Sequence, residues 1–206
     1  MKKQSIIILV IVVAAVIALL YSFTGSQDQG AYTDKIQQER DSKDVFMRTS
    51  KESPFAGDST ATFKGLQYYP VDARYKVTAS LTPITNKQVV LLATNDEKEQ
   101  RYVQYAYADF DLGGYHNRLL ILEMIDMGPF RGKLFLAFGD ETSAVETYGA
   151  GRYLDLNKVQ GANTITLDFN LAYNPYCAYS DKFSCPLPPT ENLLKVAIRA
   201  GERQYH

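Results

Sequence analysis

Arg101–Asp109 (RYVQYAYAD) and Leu119–Ile125 (LLILEMI) are two apolar and aromatic runs with Asp111-Leu112-Gly113-Gly114 between them. The first alternates with a period of two and is rich in Tyr and Val, the pattern of a strand with one face on a core. The Gly pair supplies the positive φ that a tight hairpin turn needs. Working outward, Arg74–Leu81 (RYKVTASL) places Tyr75, Val77 and Ala79 on one face. Ala61–Tyr68, Val89–Ala93, Lys133–Phe138 and Thr164–Phe169 read as further strands, and Leu193–Ile198 as a last strand or short helix. No internal repeat is visible. The predicted fold is all-β, an antiparallel barrel or sandwich of about seven or eight short strands. Fifteen Tyr and 10 Phe, with no Trp, supply its core and surface packing.

The N-terminal segment has a different character. Met1-Lys2-Lys3 precedes an uncharged apolar run from Ile6 to Tyr21 that extends to Phe23. About 18 helical residues span roughly 27 Å, close to the hydrocarbon thickness of a bilayer. The run ends in Leu19-Leu20-Tyr21-Ser22-Phe23, without the small residues a signal-peptide cleavage site requires and without a nearby Cys for lipid attachment. Residues 1–23 are therefore expected to be an uncleaved membrane anchor and residues 24–31 a polar tether. Residues 32–206 form the expected extracytoplasmic β domain, entered through a short juxtamembrane helix over Tyr32–Thr49 that stops before Ser53-Pro54. Lys2 and Lys3 place the N-terminus in the cytoplasm by the positive-inside bias, giving a single-pass membrane protein. Setting those two lysines aside, 20 of the 22 Lys and Arg face 23 Asp and Glu, a net of −3. That balance offers nucleic acid no electrostatic footprint, so no nucleic-acid partner is expected.

The C-terminal third concentrates Tyr, Asn, Pro, Gly and Cys in Glu146–Asp155 (ETYGAGRYLD) and Leu167–Glu202. Asp168 and Asn170 stand two apart on an expected strand, so both project from one face. Arg152 follows two glycines; if it meets Asp168, the two form either a structural ion pair or a polar site in which Arg152 holds an anion and Asp168 acts as base. Tyr148, Arg152, Asp168, Asn170, Tyr173 and Asn174 are the candidate binding residues. Cys177 and Cys185, the only cysteines, close a short Pro-rich loop, and an exported context favours a disulfide, with a reactive thiol pair as the alternative. Neither His116 nor His206 belongs to a cluster with zinc-like spacing, and Asp109 with Asp111 reads as a solvated strand end, so no metal or cofactor is expected. No G-x-S-x-G nucleophile motif occurs, and the glycines after Tyr148 lack the Lys-Ser/Thr end of a phosphate loop.

Phe63-Lys64-Gly65, Tyr68-Tyr69-Pro70-Val71-Asp72, Asp140-Glu141-Thr142-Ser143 and above all the segment from Glu146 onward resemble the bacterial family called domain of unknown function 1684. The resemblance covers most of the expected exported domain. It implies a fold and a concentration of signature residues, and no reaction. The leading expectation is a non-enzymatic module that binds a small molecule, an envelope polymer or a protein. An enzyme using Arg152 and Asp168 for acid-base chemistry, and a structural envelope component, are the alternatives.

Overall fold

The computed structural model describes residue 13 and residues 28–56, 63–126, 128–158 and 160–205. The chain forms two compact units, Met1–Glu39 and Arg40–His206. The expected anchor and tether lie outside the described residues, Val13 and residues 28–31 excepted. Among the described residues no helix is long and apolar enough to cross a membrane. A helix, α1, occupies residues 28–49 and is thus already formed before Tyr32. Ser53 terminates it: its Oγ donates to the Met47 carbonyl at 2.6 Å. Beyond it, Met47 is buried with Phe63 and Leu66 in a small aromatic cluster.

The second unit is built on one antiparallel sheet of seven strands: β1 (Lys76–Pro83), β2 (Val89–Ala93), β3 (Glu99–Leu112), β4 (Tyr115–Met124), β5 (Leu134–Phe138), β6 (Arg152–Leu156) and β7 (Thr164–Asp168). Its order is β6-β5-β4-β3-β1-β7, with β2 paired to β3 as a side branch. The sheet curls into a half-barrel, so the antiparallel all-β expectation holds while a two-sheet sandwich does not. β3 and β4 form the hairpin read from the sequence, turning on Gly113 and Gly114 at φ 63° and 81°.

Both faces of this sheet are buried. The inner face holds Ala79, Ala108, Phe110, Leu119, Ile121, Leu134, Leu136, Phe138, Leu154, Leu156 and Leu167. The outer face holds Leu92, Tyr102, Leu120, Leu122, Phe135 and Tyr153. A bulge between Gln104 and Ala106 lets β3 serve both. One extra residue flips the two-residue alternation, so even-numbered Tyr102 faces outward and even-numbered Ala108 and Phe110 face inward.

Two segments differ from the sequence expectation. Residues 63–68 are not a strand; Gly65 takes φ 94° and only Tyr68 makes an isolated bridge, to Glu202. Arg152–Leu156, not among the expected strands, is strand β6. The C-terminal stretch is neither strand nor helix, although it alternates in burial: Leu194, Val196, Ile198 and Ala200 enter the inner core while Lys195 and Arg199 stay exposed.

This stretch passes the hairpin tip, where a Cβ on Gly113 would stand 2.3 Å from Cγ2 of Val196 and one on Gly114 would meet nothing within 4 Å. Either Ala substitution suffers the left-handed backbone strain of about 1–2 kcal/mol. Gly113→Ala is expected to lose at least about 1 kcal/mol more than Gly114→Ala in urea unfolding, from overpacking against a stiff β-branched side chain. Equal losses would show that the tail does not pack on the turn.

Candidate functional site

The signature residues fall into separate groups. Arg152 opens β6 and is fully buried, and it does not bond Asp168. Its Nη2 donates to Asp140 Oδ2 at 2.9 Å and to the Ile198 carbonyl at 2.8 Å, and its Nη1 donates to the carbonyls of Ala200 and Glu202. Asp140 in turn accepts from the Ile198 amide at 3.1 Å and from the amide and hydroxyl of Thr142. The guanidinium thus takes the carbonyls of Ile198 and Ala200 and, past the bend at Gly201 (φ 75°), that of Glu202. Arg152 therefore belongs to a buried clamp with Asp140, and the pairing with Asp168 that the sequence left open is not formed. Gly151 is needed beside it, because a Cβ there would stand 2.6 Å from the Phe138 carbonyl oxygen.

Asn174 holds the end of the same tail. Its Nδ2 donates to Glu202 Oε1 at 3.0 Å and to the Arg203 carbonyl at 2.8 Å. The buried Glu202 carboxylate also accepts from the Tyr179 hydroxyl and from Lys43 Nζ at 2.8 Å. Burial, with the Glu202 charge beside it, pushes the Tyr179 hydroxyl well above its ordinary value. Asn170 bonds both polar groups of the Asp72 backbone, at 2.9 Å and 2.8 Å, while Asp168 caps the 3-10 turn Phe169–Leu171. Asn192, with no role assigned from sequence, accepts from the Leu120 amide and donates to the Leu120 and Ala137 carbonyls. It fills the splay between β4 and β5, whose ladder covers only Leu122↔Phe135 and Glu123↔Leu134.

Cys177 and Cys185 are free buried thiols, a correction to the expected disulfide. They are close: the Cys177 amide donates to Cys185 Sγ at 3.2 Å. A hydrogen bond with Cys185, helped by one from the Tyr148 hydroxyl, lowers the Cys177 thiol to about 7. The loop is held without a covalent staple. Leu187 N bonds Ala93 O at 2.7 Å, Cys185 N bonds Asn95 Oδ1 at 2.7 Å, and the Tyr153 hydroxyl donates to the Pro186 carbonyl. Asp109 is paired with Arg118, Nε to Oδ1 at 2.6 Å, and Asp111 with His116 at 2.9 Å. Among the described residues no group of His, Cys, Asp and Glu is arranged to hold a metal ion.

One concave feature among the described residues lies between the two ends of the sheet. β6 and β7 run antiparallel to each other, joined by residues 157–163, yet no ladder connects them among the described residues. Tyr173 seals the gap at one end by exchanging backbone bonds with Tyr153 at 2.8 Å and 3.0 Å. Beyond that bridge a cavity of about 440 Å³ opens. Its inner wall is aliphatic, from Leu81, Leu134, Leu154, Leu156 and Ile165, with Tyr105 from the β3 bulge. Its outer rim carries Asp155, Thr164, Thr166 and Asp168. Strand parity explains the division: Leu154, Leu156 and Ile165 share the inner-face parity, and the rim residues have the opposite one. Of the six candidate residues only Asp168 lines this slot. The sequence signal for the rest of its wall is the alternation of Leu154-Asp155-Leu156 and of Thr164-Ile165-Thr166.

Residues 61–203 match the family model described as Protein of unknown function (DUF1684). The chain belongs to that family. Its fold is similar to the solution NMR structure of the uncharacterized protein from gene locus rrnAC0354 of Haloarcula marismortui, at 38% identity and a TM-score of 0.65. That alignment covers 86% of this chain and 96% of the other. Among curated proteins none matches the chain significantly.

The clamp makes a direct prediction. Arg152→Met removes the partner of buried Asp140 and leaves three tail carbonyls without their donor, so a loss of about 3–5 kcal/mol is expected in urea unfolding. A midpoint and slope equal to those of the wild type would show that the ion pair does not hold the tail.

Proposed function

We propose that the second unit is a non-enzymatic binding module for a small molecule with an apolar body, taken up in the slot between β6 and β7. The observation that carries this reading is the slot itself: about 440 Å³, walled mainly by aliphatic side chains and Tyr105, with Asp155, Asn157, Thr164, Thr166 and Asp168 as its polar groups. Its size falls in the range of small-ligand sites, which are mostly apolar with a few convergent polar groups. Arg152, the strongest charge among the candidate residues, is committed to Asp140 and the tail, which favours binding over acid-base chemistry.

Ile165 projects into the slot from β7, so Ile165→Trp fills it. Methyl resonances of Leu154 and Leu156 are expected to shift on titration with hexanol in the wild type and to stay still in Ile165→Trp, with both proteins folded. Wild-type methyls that do not move at millimolar hexanol, or a Trp variant that binds equally well, would defeat the reading.

The uncharged run from Ile6 to Phe23 after Lys2-Lys3 supports a second part of the proposal, a membrane tether that presents the module outside the cytoplasm as a single-pass protein. The full-length chain is then expected to stay with membranes through alkaline carbonate extraction. Its release into the supernatant would remove the tether.

A further inference from the structure

We infer that the ligand of the slot carries a cationic head, an alkylammonium on an aliphatic tail; this rests on the slot being a binding site. The argument is the sorting of chemistry across the wall. The inner surface, from Leu81, Leu134, Leu154, Leu156 and Ile165, offers nothing to a charge. The mouth offers two carboxylates, Asp155 on β6 and Asp168 on β7, with the hydroxyls of Thr164 and Thr166 beside them. An ammonium has three N–H donors and no acceptor; the two carboxylates at this mouth are acceptors only, and the threonine hydroxyls can accept as well.

The charged groups around the mouth have distinct roles. Lys76 pairs in register with Asp168 across β1 and β7, so that carboxylate shares its field with a lysine. Lys158 and Lys87 lie toward Tyr105, with their ammonium groups 5.1 Å and 4.8 Å from its ring centroid. Both are ion-paired to Glu123, at 3.1 Å and 3.7 Å. Asp155 is different. Its carboxylate accepts from the Tyr173 hydroxyl at 2.8 Å, and no basic side chain pairs with it among the described residues. Burial, with the Asp155 charge and hydrogen bond added to it, pushes the Tyr173 hydroxyl well above its ordinary value, so it stays a neutral donor to that carboxylate. Tyr173 is also the residue that seals the slot against β6, so Asp155 is fixed at the sealed end of the mouth. An alkyl tail lying along Leu154 and Ile165 places its head group there.

The test uses the full-length chain in zwitterionic lipid nanodiscs, with empty nanodiscs as the blank, and three probes of one tail: hexylamine, hexanol and hexanoate. Leu154, Leu156 and Ile165 methyl shifts report occupancy of the slot. Hexylammonium is expected to bind about fivefold more tightly than hexanol, the scale of a partly exposed charge pair, and hexanoate more weakly than either. In Asp155→Asn the preference for the amine over the alcohol is expected to vanish. Equal binding of the three probes, or a preference for hexanoate, overturns the head-group assignment and leaves the apolar slot standing. An amine preference that survives Asp155→Asn also overturns it. Failure of all three probes to move the methyls overturns the slot reading itself.

Discussion

The buried guanidinium of Arg152 is the interaction on which the second unit depends. A half-barrel leaves one end open, and the chain after Asn192 crosses the inner core without forming a ladder. Such a segment carries backbone groups into the interior, where each unpaired one costs about 1–3 kcal/mol. Arg152 and Asp140 remove that cost together. The arginine takes the carbonyls at 198, 200 and 202, the aspartate takes the amide at 198, and each neutralises the other. An isolated buried charge would be prohibitive here; a paired one is tolerated when both terminal nitrogens of the guanidinium are bonded, as they are in Arg152, although its Nε has no partner.

The same device recurs wherever the sheet is incomplete. Asn192 stands between β4 and β5 where their ladder stops, and Asn170 brings the Asp72 backbone to the end of β7. Asn174 with Glu202 ties the last residues to the loop after Tyr173. A primary amide has both a donor and an acceptor, so it bonds a peptide group as another peptide would. Asn and Glu in these places do the work of a missing strand. That gives Asn170, Asn174, Asn192 and Arg152 structural partners that suggest no reaction.

What the sequence made legible follows from which signals are local. The β3–β4 hairpin was readable because Gly113-Gly114 and period-two alternation lie within a few residues of each other. The helix was readable over Tyr32–Thr49 from its long polar residues and the stop at Ser53-Pro54, while its first residues, 28–31, were read as tether because they are polar and Gly-containing. β6 was hidden because Gly149 and Gly151 announce a turn just before it, and its partner β5 lies across an irregular connection. Cys177 and Cys185 were read through compartment and spacing, whereas the hydrogen bonds of Leu187 and Cys185 to residues 93 and 95 hold the loop. Asp140 gave no sign of its role, since a residue twelve positions before Arg152 becomes its partner only through the β5–β6 pairing. The slot was the least legible of all, because its wall comes from strands at opposite ends of the sheet order.

Two unpaired edges facing each other would ordinarily zip into a ladder or recruit another strand. Here both ends of the gap are fixed by other partners. At one end Tyr173 occupies the backbone of Tyr153, while Arg152, one residue earlier, is locked into the tail. At the other, the Leu81 amide bonds the Asn163 carbonyl at 2.8 Å, which ties the start of β7 to β1. Pairing β6 with β7 at Tyr153 would require breaking its two backbone bonds to Tyr173, so the opening is built into the folded chain. A preformed slot adds little ordering cost to binding. Discrimination among ligands then falls to the mouth, where Asp155, fixed by Tyr173, meets whatever an apolar tail presents to it.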